Sequence, residues 1–186
     1  ASRRSVYLKY NASLRCKGMR SVDGQHKNKQ WAEKQFLAYC NGNWYTSTIH
    51  AINSAVVKLG KLSKATKVYR GISNRALSKE MLMPNEYNVR GGVEFAFMST
   101  TPIKKVAMEY AESGKINDAS MVFEIKMGMI DRGADVSWLS QYPHEDERLF
   151  PPLTALSLED DEKVEDDVTV FKVRLNVNLI ATTLEQ

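Results

Sequence analysis

The sequence predicts an α+β fold in one domain, with helices in the first third of the chain and β-strands in the remainder. Apolar residues recur at three-to-four-residue spacing before residue 60, whereas short β-branched or aromatic segments bounded by Gly, Pro or Asp and Asn come after it. A chain of 186 residues with 43% hydrophobic content is long enough for one well-buried core and short for two. We therefore expect a single domain over 1–186, with a helical part at about 1–60 and a β-rich part at about 61–186.

Three amphipathic helices are predicted from apolar spacing and from their boundary residues. The segments KQWAEKQFLAYC (29–40) and YTSTIHAINSAVVKLG (45–60) carry apolar side chains on one helical face, and Gly60 ends the second. A third helix is predicted in TPIKKVAMEYAE (101–112). Its N-cap is expected to be Thr101 and its first residue Pro102, where the missing N–H group costs no hydrogen bond.

Strands are predicted in the segments that are rich in β-branched and aromatic residues. They are TKVYRG (66–71), VEFAFMSTT (93–101), SMVFEIKM (120–127), ERLF (147–150) and VTVFKVRLNV (168–177).

Composition excludes some classes of protein and leaves others open. The formal net charge is +4, with basic residues concentrated in 3–34 and acidic residues in 159–167. This asymmetry fits an anionic small ligand near one face, and equally a solvated surface. No segment approaches the ~18 apolar residues of a membrane helix, and the N-terminus lacks an apolar signal region, so we expect a soluble protein. Cys16 and Cys40 are too few for a disulfide framework and are expected to be free thiols.

Two predicted strands end in polar residues that a packed sheet would not select. Arg70 precedes Gly71 at the end of the first strand, which suits an anion-binding guanidinium beside accessible backbone; a structural ion pair is the alternative. The strand VEFAFMSTT ends in three consecutive hydroxyls, Ser99, Thr100 and Thr101. Capping of the following helix is an alternative explanation for this hydroxyl cluster.

An acidic turn lies in SQYPHEDERLFPP (140–152). In an extended segment Glu145 and Glu147 share one face, roughly 7 Å apart, and Asp146 points away. Two carboxylates on the same side raise each other's pKa. Such a pair suits glycosidic chemistry, in which one carboxylate stabilises an oxocarbenium-like sugar while the other handles a proton or orients the nucleophile. The alternative is a pair of charges on a solvated loop.

Together these motifs resemble the R-S-E class of mono-ADP-ribosyltransferases, which includes cholera-type and binary actin-modifying toxins and vertebrate ecto-transferases. The resemblance leaves 1–40 outside and depends on NWYTSTIHAIN (43–53), VYRG (68–71), FAFMSTT (95–101), GADVSWLSQYPHEDERLFPP (133–152) and VTVFKV (168–173). The chain departs from the family's usual Ser-Thr-Ser only by having Thr101 in the third position. The resemblance implies an ADP-ribosyltransferase-like fold, with N-terminal helices packed on a split, mostly antiparallel β-sandwich and NAD in the cleft between.

The resemblance also implies roles for the motif residues. Arg70 holds NAD through its phosphate or ribose hydroxyls, and Gly71 offers backbone to the nicotinamide carboxamide. Ser99 positions the catalytic Glu147, which binds the ribose 2′-hydroxyl and stabilises positive charge as the glycosidic bond breaks. Glu145 orients and partly deprotonates the acceptor, and a glutamate at this position accompanies arginine as the acceptor in the family.

Further residues are assigned by position relative to these motifs. The resemblance implies that Thr100, Tyr110 and Lys115 contribute to NAD binding, with Tyr110 beside the nicotinamide and Lys115 on a phosphate. A core position on its helix is the alternative for Tyr110, and a solvated position is the alternative for Lys115. Tyr142 is expected to contact the protein target or to pack beside Pro143. The expected partners are NAD and a protein that carries an acceptor arginine.

Other functions fit parts of the sequence. The same site with water as the nucleophile is an NAD glycohydrolase, and a non-catalytic ligand-binding module on this fold is a second alternative. The basic stretch at 2–30 suggests nucleic-acid binding, but it has no recognised motif and few aromatic residues. A metal site built from His144, Glu145 and Glu147 lacks further ligands in the sequence, so no metal is expected.

Overall fold

In the computed structural model, helices come first along the chain and strands follow, so the predicted α+β class is confirmed. The structure describes residues 6–21, 27–73, 77–113 and 120–176. The helices are α1 (Val6–Ser21), α2 (Lys27–Cys40), α3 (Thr46–Gly60), α4 (Lys79–Leu82) and α5 (Lys104–Glu112). The strands are β1 (Lys67–Ser73), β2 (Gly91–Glu94), β3 (Met98–Thr100), β4 (Ser120–Lys126), β5 (Ala134–Asp135), β6 (Arg148–Phe150), β7 (Thr154–Glu165) and β8 (Val168–Asn176).

The described strands form two sheets. One has five strands in the order β1-β4-β8-β7-β2, and the other has three in the order β3-β6-β5. The β4–β8 pair is parallel, and the other pairs are antiparallel. This agrees with the split, mostly antiparallel arrangement that the resemblance implies.

The main core lies between the two sheets. Met98 of β3 and Phe150 of β6 pack there against Val68 and the inward side chains of β4 and β8. The opposite face of the five-stranded sheet is covered by α5, whose Ala107 and Ala111 pack against Val122 of β4 and against Val168 and Val170 of β8. Strand β4 is therefore buried on both faces, which explains its nearly continuous apolar sequence.

The N-terminal helices cover the three-stranded sheet. Val56 of α3 packs against Phe97 and Ala134, and Leu14 of α1 joins the same cluster. Helices α1 and α2 pack on each other through Ala12, Cys16, Phe36 and Cys40. The two cysteines are free and buried, as predicted. None of the helices described here is long and apolar enough to cross a membrane.

The segment VEFAFMSTT is two strands in different sheets, so the prediction of one strand is wrong. The chain crosses from β2 to β3 at residues 95–97, and side chains replace the strand partners at the crossing. Glu94 Oε1 accepts the Ala96 N–H at 3.0 Å, and Asn11 Oδ1 of α1 accepts the Phe97 N–H at 3.2 Å. These contacts satisfy backbone donors that would otherwise be buried without a partner.

Helix α5 begins later than predicted. Its N-cap is Ile103, so Thr101 and Pro102 lie ahead of the helix and their predicted positions at its start are wrong. Thr101 instead continues the extended backbone of β3 and pairs with Tyr69. Its hydroxyl accepts the Ile103 N–H at 3.0 Å. This hydrogen bond satisfies the N–H of the residue just before α5 and not an N–H group within the helix.

Gly71 lies where β1 passes against helix α5. A Cβ atom at this position would stand 2.0 Å from the carbonyl oxygen of Ala107 and 2.9 Å from the nitrogen of Ala111. Both obstacles are backbone atoms, so no larger residue fits unless the helix moves. Packing alone therefore requires glycine here.

We expect Gly71→Ala to lower the free energy of unfolding by more than the ~1–3 kcal/mol typical of an overpacked core, because a helix backbone cannot move aside as a side chain can. Gly92→Ala is the matched control in a strand, since its Cβ would meet only the flexible Met81 side chain, at 3.3 Å. Denaturant unfolding of both variants is the measurement. Equal losses of stability would contradict the packing argument.

Candidate active site

The two sheets meet at a backbone bridge beside the predicted motifs. The Tyr69 N–H donates to the Thr101 carbonyl at 2.7 Å, and the Thr101 N–H donates to the Tyr69 carbonyl at 2.9 Å. Arg70 follows the first of these residues, and Ser99 and Thr100 precede the second. The bridge thus joins β1, which carries Arg70, to the hydroxyl cluster at the end of β3.

The acidic turn is attached to the same bridge. The Thr101 hydroxyl donates to the backbone carbonyl of Glu145 at 2.6 Å. Three segments that are far apart in sequence therefore converge at Thr101. A serine could make the same hydrogen bond, which gives the departure from Ser-Thr-Ser a simple structural explanation.

The acidic turn is not extended, contrary to the prediction. Residues Pro143–Glu145 form a 3-10 turn, and Asp146 has a left-handed backbone with φ of 49°. Proline favours the first position of such a turn, and aspartate tolerates positive φ, so the local sequence stabilises the bend. Strand β6 begins only at Arg148. The predicted alternation of faces across 145–147 is therefore wrong.

Tyr110 of α5 contacts the Glu145 carboxylate of the turn. Its hydroxyl donates to Glu145 Oε1 at 2.7 Å. This hydrogen bond, followed by partial burial and the charges of Glu145, Tyr142 and Glu147, raises the pKa of Tyr110 to about 12. The phenol is accordingly a protonated donor at neutral pH. Its side chain is half exposed, so the alternative that places Tyr110 in the core is wrong.

Arg148 holds the backbone of the acidic turn. Its Nη1 atom donates to Asp146 Oδ1 at 2.7 Å, and lies 3.0 Å from Asp135 Oδ1. Hydrogen bonds from Ser137, and then the charge of Arg148, keep the pKa of Asp135 below its usual value. Arg148 thus pairs with the central carboxylate of the turn, Asp146, and with neither Glu145 nor Glu147.

Ser99 is positioned by the pairing of β3 with β6, the strand that begins just after Glu147. The register pairs Ser99 with Leu149 and Thr100 with Arg148. Because alternate residues share a face, Ser99 lies on the same side as Leu149; Glu147 lies two residues before Leu149 in sequence, ahead of β6. Thr100 faces the other way, is buried, and donates its hydroxyl to the Arg148 carbonyl at 2.8 Å.

Arg70 belongs to a cluster of three charged side chains, and its contact with Glu94 is an ion pair of the kind that the sequence offered as the alternative to anion binding. Its Nη2 atom lies 3.5 Å from Glu94 Oε2, and Arg15 of α1 contacts the same carboxylate at 3.3 and 3.4 Å. The Nη1 atom of Arg70 is buried and makes no hydrogen bond to the described residues. A buried donor without a partner carries an energetic penalty, so this atom suits an acceptor on a ligand.

Lys115 and Tyr142 are the remaining predicted site residues. Lys115 falls outside the described residues. Tyr142 is exposed and its ring meets the His144 ring edge-on at 6.1 Å. Within the described part of the chain, no three His, Cys, Asp or Glu side chains are grouped to hold a metal ion. A surface depression of about 520 Å³ is lined by none of the predicted site residues; its lining includes Lys67, Lys126 and Lys172.

Solved structures of several bacterial ADP-ribosyltransferases have a similar fold. HopU1 of Pseudomonas syringae pv. tomato DC3000 matches with a TM-score of 0.60 and 24% identity, over 92% of this chain and 66% of that one. Vis from Vibrio splendidus, solved in complex with agmatine, matches with a TM-score of 0.58 and 21% identity, over 97% and 73%. Exoenzyme S from Pseudomonas aeruginosa, solved with human 14-3-3 protein beta and carba-NAD, matches at 0.50 and 16%, over 96% and 72%.

The family itself is identified by sequence. No curated protein matches the chain significantly. Residues 25–176, however, match the family described as NAD:arginine ADP-ribosyltransferase, whose co-substrate is NAD. This match spans most of the chain and contains the Tyr69–Thr101 bridge, strand β3 and the acidic turn. The chain therefore belongs to the NAD:arginine ADP-ribosyltransferase family.

Proposed function

We propose that this protein transfers ADP-ribose from NAD to the guanidinium group of an arginine in a protein target and releases nicotinamide. The proposal depends on one observation. Contacts of Thr101 bring together β1, which carries Arg70, strand β3 with its hydroxyl residues, and the turn that contains Glu145 and Glu147. Membership of the family supports NAD as the donor of ADP-ribose.

Glu147 and Arg70 act on NAD in this proposal. The bond between the ribose C1′ and the nicotinamide nitrogen breaks, and nicotinamide leaves with the bonding electron pair. The sugar then carries positive charge, which the Glu147 carboxylate stabilises while it binds the 2′-hydroxyl. Ser99, which pairs with Leu149 two residues after Glu147, positions Glu147. Arg70 holds the phosphates or ribose hydroxyls through its planar guanidinium, which matches phosphate oxygens in pairs.

Glu145 acts on the acceptor. A guanidinium nitrogen attacks C1′ and loses a proton, which Glu145 accepts or passes to water. One oxygen of Glu145 is already bonded to the Tyr110 hydroxyl, and the other remains for the incoming guanidinium. The two acids also lower the cost of bringing a cationic acceptor to a cationic sugar. Because the pKa of Tyr110 is about 12, its phenol serves as a donor to Glu145 and not as the base.

The Tyr110 hydroxyl is expected to matter for transfer more than for hydrolysis. Tyr110→Phe keeps the ring and removes the hydrogen bond that fixes Glu145, so transfer to agmatine should fall about tenfold, in line with a hydrogen bond to a charged group. Release of nicotinamide in the absence of an acceptor should change little. Tyr142→Phe, which removes another hydroxyl beside the same turn, is the control. An effect of Tyr110→Phe no larger than that of the control would contradict this role.

Hydrolysis of NAD is the second candidate function. Tyr110 is 50% exposed and Tyr142 is 56% exposed, so water has access to the acceptor side of the turn. Water then takes the place of the guanidinium at C1′, and the other residues keep their parts. We expect hydrolysis as a slower side activity.

The acceptor is tested by incubating the protein with labelled NAD and a lysate and mapping the modified residues by mass spectrometry. The proposal predicts label on arginine side chains of a limited set of proteins, and no label with a Glu147→Gln variant. Label mainly on asparagine, cysteine or other residues would contradict the arginine assignment.

A further inference from the structure

Three strongly exposed apolar side chains lie on two neighbouring loops, one after α3 and one after β4. The exposed fraction is 82% for Leu62, 83% for Met129 and 76% for Ile130. A single apolar side chain is ordinary on a protein surface, but a group of them marks a place where a protein or a membrane binds. We call Leu62, Met129 and Ile130 the apolar patch.

Arg132 holds the two loops together. Its Nη1 atom donates to the Ser63 carbonyl at 2.8 Å, and its Nε atom donates to the Met129 carbonyl at 2.7 Å. The Met127 N–H also donates to the Thr66 carbonyl at 3.0 Å, so the loops run side by side. The apolar patch is therefore presented on a backbone that hydrogen bonds hold in place.

Exposed lysines accompany the apolar patch. Lys61 and Lys64 lie on the first loop, within a run (58–67) that contains no Asp or Glu. Lys67 begins β1 and lies directly opposite Lys126, the last residue of β4, in the antiparallel register. Like charges that face each other across two strands repel and lower stability. An anionic surface would relieve this repulsion.

The depression of about 520 Å³ adjoins the same two loops. Its lining includes Ala65 and Thr66, which follow the first loop, and Lys126 and Met127, which precede the second. Its volume lies within the ~300–1,000 Å³ that is usual for ligand sites, so it can take a lipid headgroup.

Two carboxylates also line the depression, and each has a cationic partner. Glu124 pairs with Lys67 at 2.9 Å, and Glu159 pairs with Arg174 at 3.3 Å. Lys126 is exposed and forms no ion pair with any residue in the described part of the chain. Its ammonium group is thus available to an anion from outside the protein.

We propose that the apolar patch and the lysines beside it bind the surface of a bilayer that contains anionic lipids. The apolar side chains enter the boundary between headgroups and acyl chains. The lysines contact the anionic headgroups, while their apolar stems lie along the boundary. The chain lies on the bilayer in this arrangement and does not span it.

Two other occupants match the surface less well. A second copy of the chain in a twofold dimer would place the same patch against itself, so lysines would face lysines. A protein partner would have to cover several lysines, which are depleted in protein–protein interfaces. An anionic bilayer complements the charge over the whole area.

Strand β5 connects this surface to the acidic turn. Ile130 lies just ahead of β5, and the Val136 N–H just after it donates to the Glu147 carbonyl at 3.1 Å. A chain bound to a bilayer would therefore hold the acidic turn close to proteins that are attached to the same membrane. The binding itself does not depend on the proposed function.

The test is co-sedimentation of the whole chain with vesicles of phosphatidylcholine alone and with vesicles in which about one-third of the lipid is phosphatidylserine. We expect binding to the anionic vesicles, and weaker binding when salt is raised from ~0.1 to ~0.5 M, because salt screens exposed charges. Equal binding to both kinds of vesicle, or binding to neither, would overturn the proposal.

Variants of the patch and of the lysines separate the two contributions. Leu62→Gln, Met129→Gln and Ile130→Gln combined should lower the affinity for anionic vesicles about tenfold or more, because apolar area no longer leaves water. Lys64→Gln combined with Lys126→Gln should lower it about fivefold for each lysine lost.

Met83→Gln and Lys105→Gln are the matched controls. The Met83 side chain is 66% exposed and the Lys105 side chain is 85% exposed, and neither residue belongs to the two loops. Both variants should bind vesicles like the wild type.

The altered side chains are exposed, so the variants should keep the unfolding midpoint of the wild type. If the triple variant does not fold, Met129→Gln alone should still weaken vesicle binding several-fold. Unchanged binding in a folded patch variant would overturn the proposal. A wild-type dimer, seen by sedimentation velocity, that dissociates in the patch variant would also overturn it, because the patch would then bind a second copy.

Discussion

Replacing Glu147 with Gln should lower both nicotinamide release and ADP-ribose transfer by about a hundred-fold or more, the usual effect of removing one preorganised electrostatic group from an active site. Gln keeps the size of the side chain and a hydrogen-bonding oxygen, so the loss isolates the negative charge that faces the sugar in the transition state. NAD binding should survive, because the contacts of Arg70 with its neighbours are untouched.

The control for this experiment is Glu109→Gln on α5. Its carboxylate is exposed and pairs with Lys105 at 4.0 Å on the helix surface, so its removal should leave both activities unchanged. Nicotinamide release is followed directly, and NAD affinity is measured by calorimetry. Near-normal turnover in Glu147→Gln would show that another residue stabilises the sugar.

Glu145→Gln is expected to reduce arginine modification by about a hundred-fold or more while leaving much of the slow NAD hydrolysis. A guanidinium must be oriented and must lose a proton, whereas water needs less orientation. The turn should keep its shape in this variant, because Thr101 holds the backbone carbonyl of Glu145 and Arg148 holds Asp146. A Gln side chain can still accept the Tyr110 hydrogen bond, so the lost property is charge.

The two activities are read separately for this variant. Nicotinamide release without an acceptor reports hydrolysis, and modification of agmatine reports transfer. Equal loss of both activities would contradict a division of roles between Glu145 and Glu147, although the family assignment would stand.

The motifs and most of the strands were predictable because both depend on local sequence, but β5 and β7 were not predicted. Strand β4 has the apolar residues Met121, Val122, Phe123 and Ile125, which predict a strand. Arg70 was predicted at the end of its strand, but β1 continues to Ser73, so that predicted position is wrong. The division of VEFAFMSTT between two sheets was not predictable, since its residues have the same pattern on either side of the crossing. The crossing is stabilised by Asn11, which is 86 residues away from Phe97 in sequence.

Helix α1 was not recognised as a distinct element for a related reason. Its packed face contains the buried polar residues Asn11 and Ser13, which bond to backbone groups of distant segments, so the apolar spacing of a helix is weak there. The pairing of Arg15 with Glu94 spans 79 residues and leaves no local signal. A lone glutamate in an otherwise apolar strand segment was the only hint of a buried charge at Glu94.

The geometry of the acidic turn was mispredicted because periodicity assumes a regular backbone. Alternation of faces applies to a strand, but Pro143 starts a 3-10 turn and Asp146 adopts positive φ. The residue types correctly indicated that several carboxylates gather at this turn. Their arrangement depends on Arg148, Thr101 and Tyr110, and these contacts come from tertiary structure.

Use of a guanidinium acceptor is tested by incubating the wild-type protein with NAD and agmatine and identifying the products by mass spectrometry. We expect ADP-ribosyl-agmatine together with an equal amount of nicotinamide, beyond the nicotinamide formed by hydrolysis, and no such product with Glu145→Gln. Release of nicotinamide with free ADP-ribose as the sole other product, at every agmatine concentration, would contradict the claim that this site uses a guanidinium as its acceptor.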